Sequence, residues 1–66
     1  MEPPRFTDER IDAVRGGAAL TSAERTWLIQ DTPRFEECQQ STSELEAMSD
    51  ATLMSVAMRV WADYCR

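Results

Sequence analysis

The sequence predicts an all-α protein: one small domain, residues 1–66, of three to four helices, arranged as a helical homodimer built on the C-terminal helix. Three observations predict it. Apolar residues recur at helical spacing, and nothing alternates with the period of two that a half-buried strand requires. Helix-start signals, a Thr or Ser followed by acids within one turn, stand at Thr7, Thr21 and Ser49. The last eighteen residues, 49–66, carry apolar side chains over an arc of roughly 200°, whereas a surface helix ordinarily shows a stripe nearer 100° wide.

Taken in order, residues 1–5 form an arm, with two prolines and no periodicity. Thr7 then caps a first helix whose opening turn holds Asp8 and Glu9, where the positive end of the helix dipole favours acids. Phe6 and Ile11 have the spacing of a hydrophobic staple, Ile11 and Val14 form the inner face, and Gly16-Gly17 stops the helix after Arg15. Thr21-Ser22-Ala23-Glu24 has the spacing of a capping box, and Ala23, Trp27 and Leu28 share the face of a second helix. That helix ends near Gln30 or Asp31, because Pro33 disfavours a helical Thr32. With Thr32 as cap and Pro33 at the first position, a third helix is expected over residues 33–48. It places Phe35, Cys38, Thr42 and Leu45 on one side and Glu36, Glu37, Gln40 and Glu44 opposite. Its centre, Gln39-Gln40-Ser41-Thr42-Ser43, is weak helix material, so Ser41 or Ser43 is an alternative start for a separate helix.

In the last helix Leu53, Val56, Ala57, Val60 and Tyr64 form one stripe, expected to meet the rest of the chain. Met54, Met58, Trp61 and Cys65 form a second, expected to meet another copy or a different protein. The competing reading is that this second stripe is ordinary core. Arg34 and Phe35, beyond the proline corner, and the acids Glu36, Glu37 and Glu44 are further partner-binding candidates. The plain reading of those acids is solvated charge; the functional one is steering towards a basic partner surface, such as a DNA-binding domain.

Composition narrows the function. Twelve acids against seven bases, all Arg, give a net charge of −5, which opposes nucleic acid and anionic membrane as ligands. With no His the commonest general base and metal ligand is missing, and Cys38 and Cys65 alone do not complete a zinc site. There is no glycine-rich phosphate loop. No enzyme activity, metal, cofactor or small-molecule substrate is expected. No signal-peptide pattern follows the N-terminus and no run is long enough to span a membrane, so a cytoplasmic protein with two reduced thiols is expected.

Two resemblances follow. The first helix, Leu20-Thr21-Ser22-Ala23-Glu24-Arg25 and the Asp31-Thr32-Pro33 corner faintly resemble zinc-dependent anti-sigma factors, but the His and paired Cys of those proteins are absent, so no zinc is implied. The whole-chain pattern resembles early-expressed host-takeover proteins of temperate phages. Leu20-Thr21-Ser22-Ala23-Glu24-Arg25-Thr26-Trp27-Leu28 and the stretch from Asp50-Ala51-Thr52-Leu53-Met54 through Trp61-Ala62-Asp63-Tyr64-Cys65 look most like the quorum-sensing anti-activators of Mu-like Pseudomonas phages. That resemblance implies a small helical homodimer in the host bacterial cytoplasm. It would bind a LuxR-type transcriptional activator, block its DNA binding, and inhibit as a second target the ATPase that assembles type IV pili. It carries no residue roles. The alternative reading is an anti-CRISPR or other anti-defence protein acting by acidic mimicry of nucleic acid.

Overall fold

Four hydroxyl side chains begin the four α-helices of the structure, a computed structural model that describes residues 4–65. Residues 1–3 of the expected arm, and Arg66, lie outside the described residues. Thr7 accepts from the Arg10 N–H (3.1 Å) ahead of α1, Asp8–Arg15. Thr21 accepts from the Glu24 N–H (3.1 Å) ahead of α2, Ser22–Asp31, and the Thr21 N–H donates back to Glu24 (2.8 Å), completing the capping box. Ser41 accepts from the Glu44 N–H (3.2 Å) ahead of α3, Thr42–Glu46. Ser49 accepts from the Thr52 N–H (3.3 Å) ahead of α4, Asp50–Tyr64. No strand forms among the described residues.

The stop after Arg15 has a specific geometry. Gly17 adopts φ 120°, open to glycine and strained for other residues. Its N–H donates to the Val14 carbonyl (3.1 Å) and that of Ala18 to the Ala13 carbonyl (2.9 Å), the paired bonds of a Schellman ending.

The expected third helix over residues 33–48 does not form as one piece. A single 3₁₀ turn, Thr32–Arg34, follows α2, and Phe35 is extended (φ −83°, ψ 136°). Residues 35–41 are a loop, after which Ser41 starts α3. The helical path ends at the extended Phe35, and the Ser41 hydroxyl takes the Glu44 N–H as a cap in place of a continuous ladder through the Ser41-Thr42-Ser43 run. The alternative start at Ser41 is the one realised. Thr32, expected as that helix's cap, is fully buried, and its hydroxyl has no hydrogen-bond partner. Thr32→Val, which keeps the branched shape and removes the orphan hydroxyl, is therefore expected to stabilise the chain by about 1 kcal/mol. In a domain of this size that raises the melting temperature by roughly 4–8 °C in a thermal melt; a lower melting temperature would show that the hydroxyl is bonded after all.

α4 is the axis of the fold. It packs against α1 and α2, and α2 packs in turn against α3. Leu53, Met54, Val56, Ala57 and Val60 of α4 are buried with Ile11 and Val14 from α1, Leu28 from α2 and Leu45 from α3. Phe6, Trp27 and Trp61 close one side as a three-ring cluster, with centroid separations of 5.8, 5.9 and 6.2 Å. These are within the range where tilted aromatic pairs attract.

Two guanidinium clamps fasten the helices. Arg10 of α1 meets Glu24 of α2 with two bonds, Nε–Oε2 (3.0 Å) and Nη2–Oε1 (2.7 Å), and also donates to the Ala19 carbonyl (2.8 Å). Arg25 of α2 donates to Asp50 Oδ1 (2.7 Å) at the head of α4 and to the carbonyls of Glu46 (2.9 Å) and Met48 (2.7 Å), where α3 ends. Asp50 Oδ2 also accepts the Leu20 N–H (3.0 Å). Ala23, expected on the inner face of α2, is exposed; Glu24 is buried there instead, because Arg10 reaches across to it.

Candidate interaction surface

The second stripe of α4 is divided along the helix rather than around it. Met54 is fully buried, so it belongs to the chain's own core and is not left for a second chain. Trp61 is half-buried in the ring cluster with Phe6 and Trp27, and Met58 is half-buried against the core. Cys65 is exposed. The first stripe fails in the opposite sense at its end: Tyr64, expected to be covered, is 62% exposed. The reason is geometric. α1 and α2 pack against α4 and, with Leu45 of α3, share the core that buries Leu53, Met54, Val56 and Ala57 in its first part. The last turn, from Ala62 to Cys65, is exposed throughout.

That last turn is where the partner-binding candidates of the loop converge. Phe35 packs edge-on against Tyr64, with centroids 5.0 Å apart and planes at 66°. Phe35 is half-buried, and Arg34, Glu36, Glu37 and Asp63, next to the pair in the chain, are exposed. The break at Phe35 makes this possible, because it turns the ring out of the expected helical face towards α4. Glu44 is exposed, and its carboxylate lies 3.4 Å from the Ser41 hydroxyl, within the cap of α3.

Between the loop and α4 lies a cleft of about 290 Å³, lined by Glu37, Gln39, Gln40, Arg59, Val60 and Asp63. Gln40 is half-buried, and the Cys38 thiol lies against its main-chain carbonyl (3.5 Å) and its side-chain oxygen (4.0 Å). Both thiols are free. Among the described residues no group of three or more His, Cys, Asp or Glu is placed to hold a metal, and no helix is long and apolar enough to cross a membrane.

Among the described residues, the carboxylate with a marked shift is Glu24, which does not line the cleft. The Arg10 hydrogen bonds draw its pKa from 4.5 down to about 2, against burial and with help from the Thr21 N–H and the Arg10 charge. The same contact raises Arg10 above its ordinary value. An acid this strong is an anion at neutral pH, suited to holding a guanidinium and poor as a general base.

Tyr64, Gln39 and the pairing of Arg59 and Asp63 with the loop were not among the sequence-derived candidates. Arg59 and Asp63 have i,i+4 spacing, which reads as a surface ion pair. The departure from the helical path at Phe35 is what brings residues 37–40 beside them. In comparison with known proteins, no family model matches the chain, and neither a curated protein nor a solved structure matches it.

Proposed function

We propose that the chain is an inhibitory binding protein that occludes a basic surface of a regulatory protein. The observation that carries this is the Phe35–Tyr64 pair, its tyrosine exposed and its phenylalanine half-buried, set among Arg34, Glu36, Glu37 and Asp63. Tyr and Arg are the residue types that concentrate binding energy at interfaces, and a charged rim around an apolar centre is the usual interface anatomy. Surplus acid on the rim and a net charge of −5 favour a partner that presents bases. A DNA-binding domain is such a surface. The resemblance to quorum-sensing anti-activators supplies the specific form: the DNA-binding region of a LuxR-type activator as target, a pilus-assembly ATPase as second target, and a homodimer as the acting species. Met58, Trp61 and Cys65 are the part of the second α4 stripe that still reaches the surface for self-association.

The test uses a purified LuxR-type activator and its operator DNA. The chain is expected to release the DNA in a gel shift, and Tyr64→Ala to weaken activator binding about thirtyfold, the loss of a hot spot of about 2 kcal/mol. The variant is expected to stay folded, since Tyr64 is largely exposed and gives up only its edge-on contact with Phe35, worth about 0.5–1.5 kcal/mol. Light scattering on the wild type is expected to give twice the 7.5 kDa chain mass; a monomer at micromolar concentration removes the dimer. An activator that keeps its DNA in excess of the chain removes the LuxR-type target. The exposed acids Glu36, Glu37 and Glu44 favour the second reading, an anti-defence protein that mimics nucleic acid. Its signature is salt-sensitive binding to a ribonucleoprotein, abolished when all three become Gln.

A further inference from the structure

We propose that the cleft between residues 37–40 and α4 is a seat for one arginine side chain of the partner. The inference rests on the preceding reading in one respect, that the partner presents bases. The cleft, about 290 Å³, lies at the lower end of ligand-pocket sizes: too small for a folded element and sufficient for one extended side chain. Its lining suits that occupant. Glu37 approaches from the loop and Asp63 from α4, so carboxylates stand on both elements. Gln39 and Gln40 complete the polar lining, and the Cys38 thiol lies against the main-chain and side-chain oxygens of Gln40. Val60, almost wholly buried, gives an apolar wall for an aliphatic stem.

Charge complementarity decides the sign of the occupant. Two carboxylates and one guanidinium, Arg59, line the cleft, so it keeps a negative balance that one incoming cation neutralises. Asp63 already has an interaction within the chain. A carboxylate accepts several hydrogen bonds, so that interaction does not exhaust it. Arginine fits better than lysine, because its planar fork of five donors meets acceptors arriving from several directions. Tyr64 follows Asp63 directly and offers its exposed ring to a second base of the same segment as a cation–π contact.

The test follows backbone amide NMR shifts of the full chain during titration with Nα-acetyl-arginine methylamide, its lysine counterpart, and the uncharged citrulline counterpart. Shifts are expected at residues 37–40 and 59–64, larger for arginine than for lysine and absent for citrulline. In Glu37→Gln/Asp63→Asn the apparent affinity for the arginine compound is expected to fall at least tenfold. Absence of localised shifts with the arginine compound overturns the proposal, as do equal shifts with citrulline; both comparisons use wild-type protein and do not depend on the variant folding. If the seat fails while a LuxR-type activator still binds and is lost with Tyr64→Ala, the functional reading stands without it. If arginine binds and no such activator does, the seat stands and that target falls.

Discussion

Met54→Ala is expected to cost about 3 kcal/mol and to leave the chain largely unfolded at 37 °C. Met54 is fully enclosed with Leu28, Leu45 and Leu53, and truncating such a residue removes its transfer energy and opens a cavity, together worth roughly 2–5 kcal/mol. A single core in a chain this short rarely supplies more than about 3–5 kcal/mol in total, so the loss is comparable with the whole stability. Urea titration followed by far-UV circular dichroism measures it. Met58→Ala, at a half-buried position further along the same stripe, is the internal control, expected to cost clearly less. Equal effects at the two positions would mean that the stripe is buried uniformly along α4. An unchanged transition for Met54→Ala would mean that Met54 faces outward.

The contrast between Met54 and Tyr64 shows what the sequence carried and what it did not. Local signals were legible: each of the Thr7, Thr21 and Ser49 caps and the Gly16-Gly17 stop depends on residues within about one turn, and each is found in place. The all-helical class follows from the same signals. The angular position of a residue on a helix is also local, which is why the wide apolar arc was visible. How far along α4 the other helices extend is not local. The sequence read the arc as two sides, one covered and one free; the structure covers both sides at the start of α4 and exposes the last turn. The site was hidden for a related reason. Phe35 reaches Tyr64 only because the chain leaves the helical path at residue 35, and a continuous helix over residues 33–48 conceals that meeting. Arg34, Phe35, Glu36 and Glu37 were legible as candidates by residue type, while Arg59, Asp63 and the cleft required the fold.

The same distinction applies to Glu24, whose local role was legible and whose long-range role was not. As the acid of a capping box it was expected to bond the Thr21 N–H, and it does. Nothing in a separation of fourteen residues announces Arg10, which takes both carboxylate oxygens and holds α1 against α2. The Glu24 side chain is 10% exposed and that of Arg10 is 30%, so the pair is neither a free surface bridge nor a fully buried one. Glu24→Gln keeps an oxygen for the cap but puts an N–H group where the guanidinium needs an acceptor. The expected cost at pH 7 is about 1.5–3 kcal/mol, that of a charge-assisted bond lost in a partly buried setting. Acidity provides an independent check. The folded-state pKa, about 2, lies below the ordinary 4.5, so the folded chain holds its Glu24 proton less tightly than the unfolded chain. The stabilisation from Glu24 is therefore complete above about pH 4.5 and is lost as the pH falls towards 2. Wild type and Glu24→Gln should differ most at neutral pH and converge in urea midpoint between pH 4.5 and 2. A difference that stays constant across that range would assign the cost to packing rather than to the ion pair.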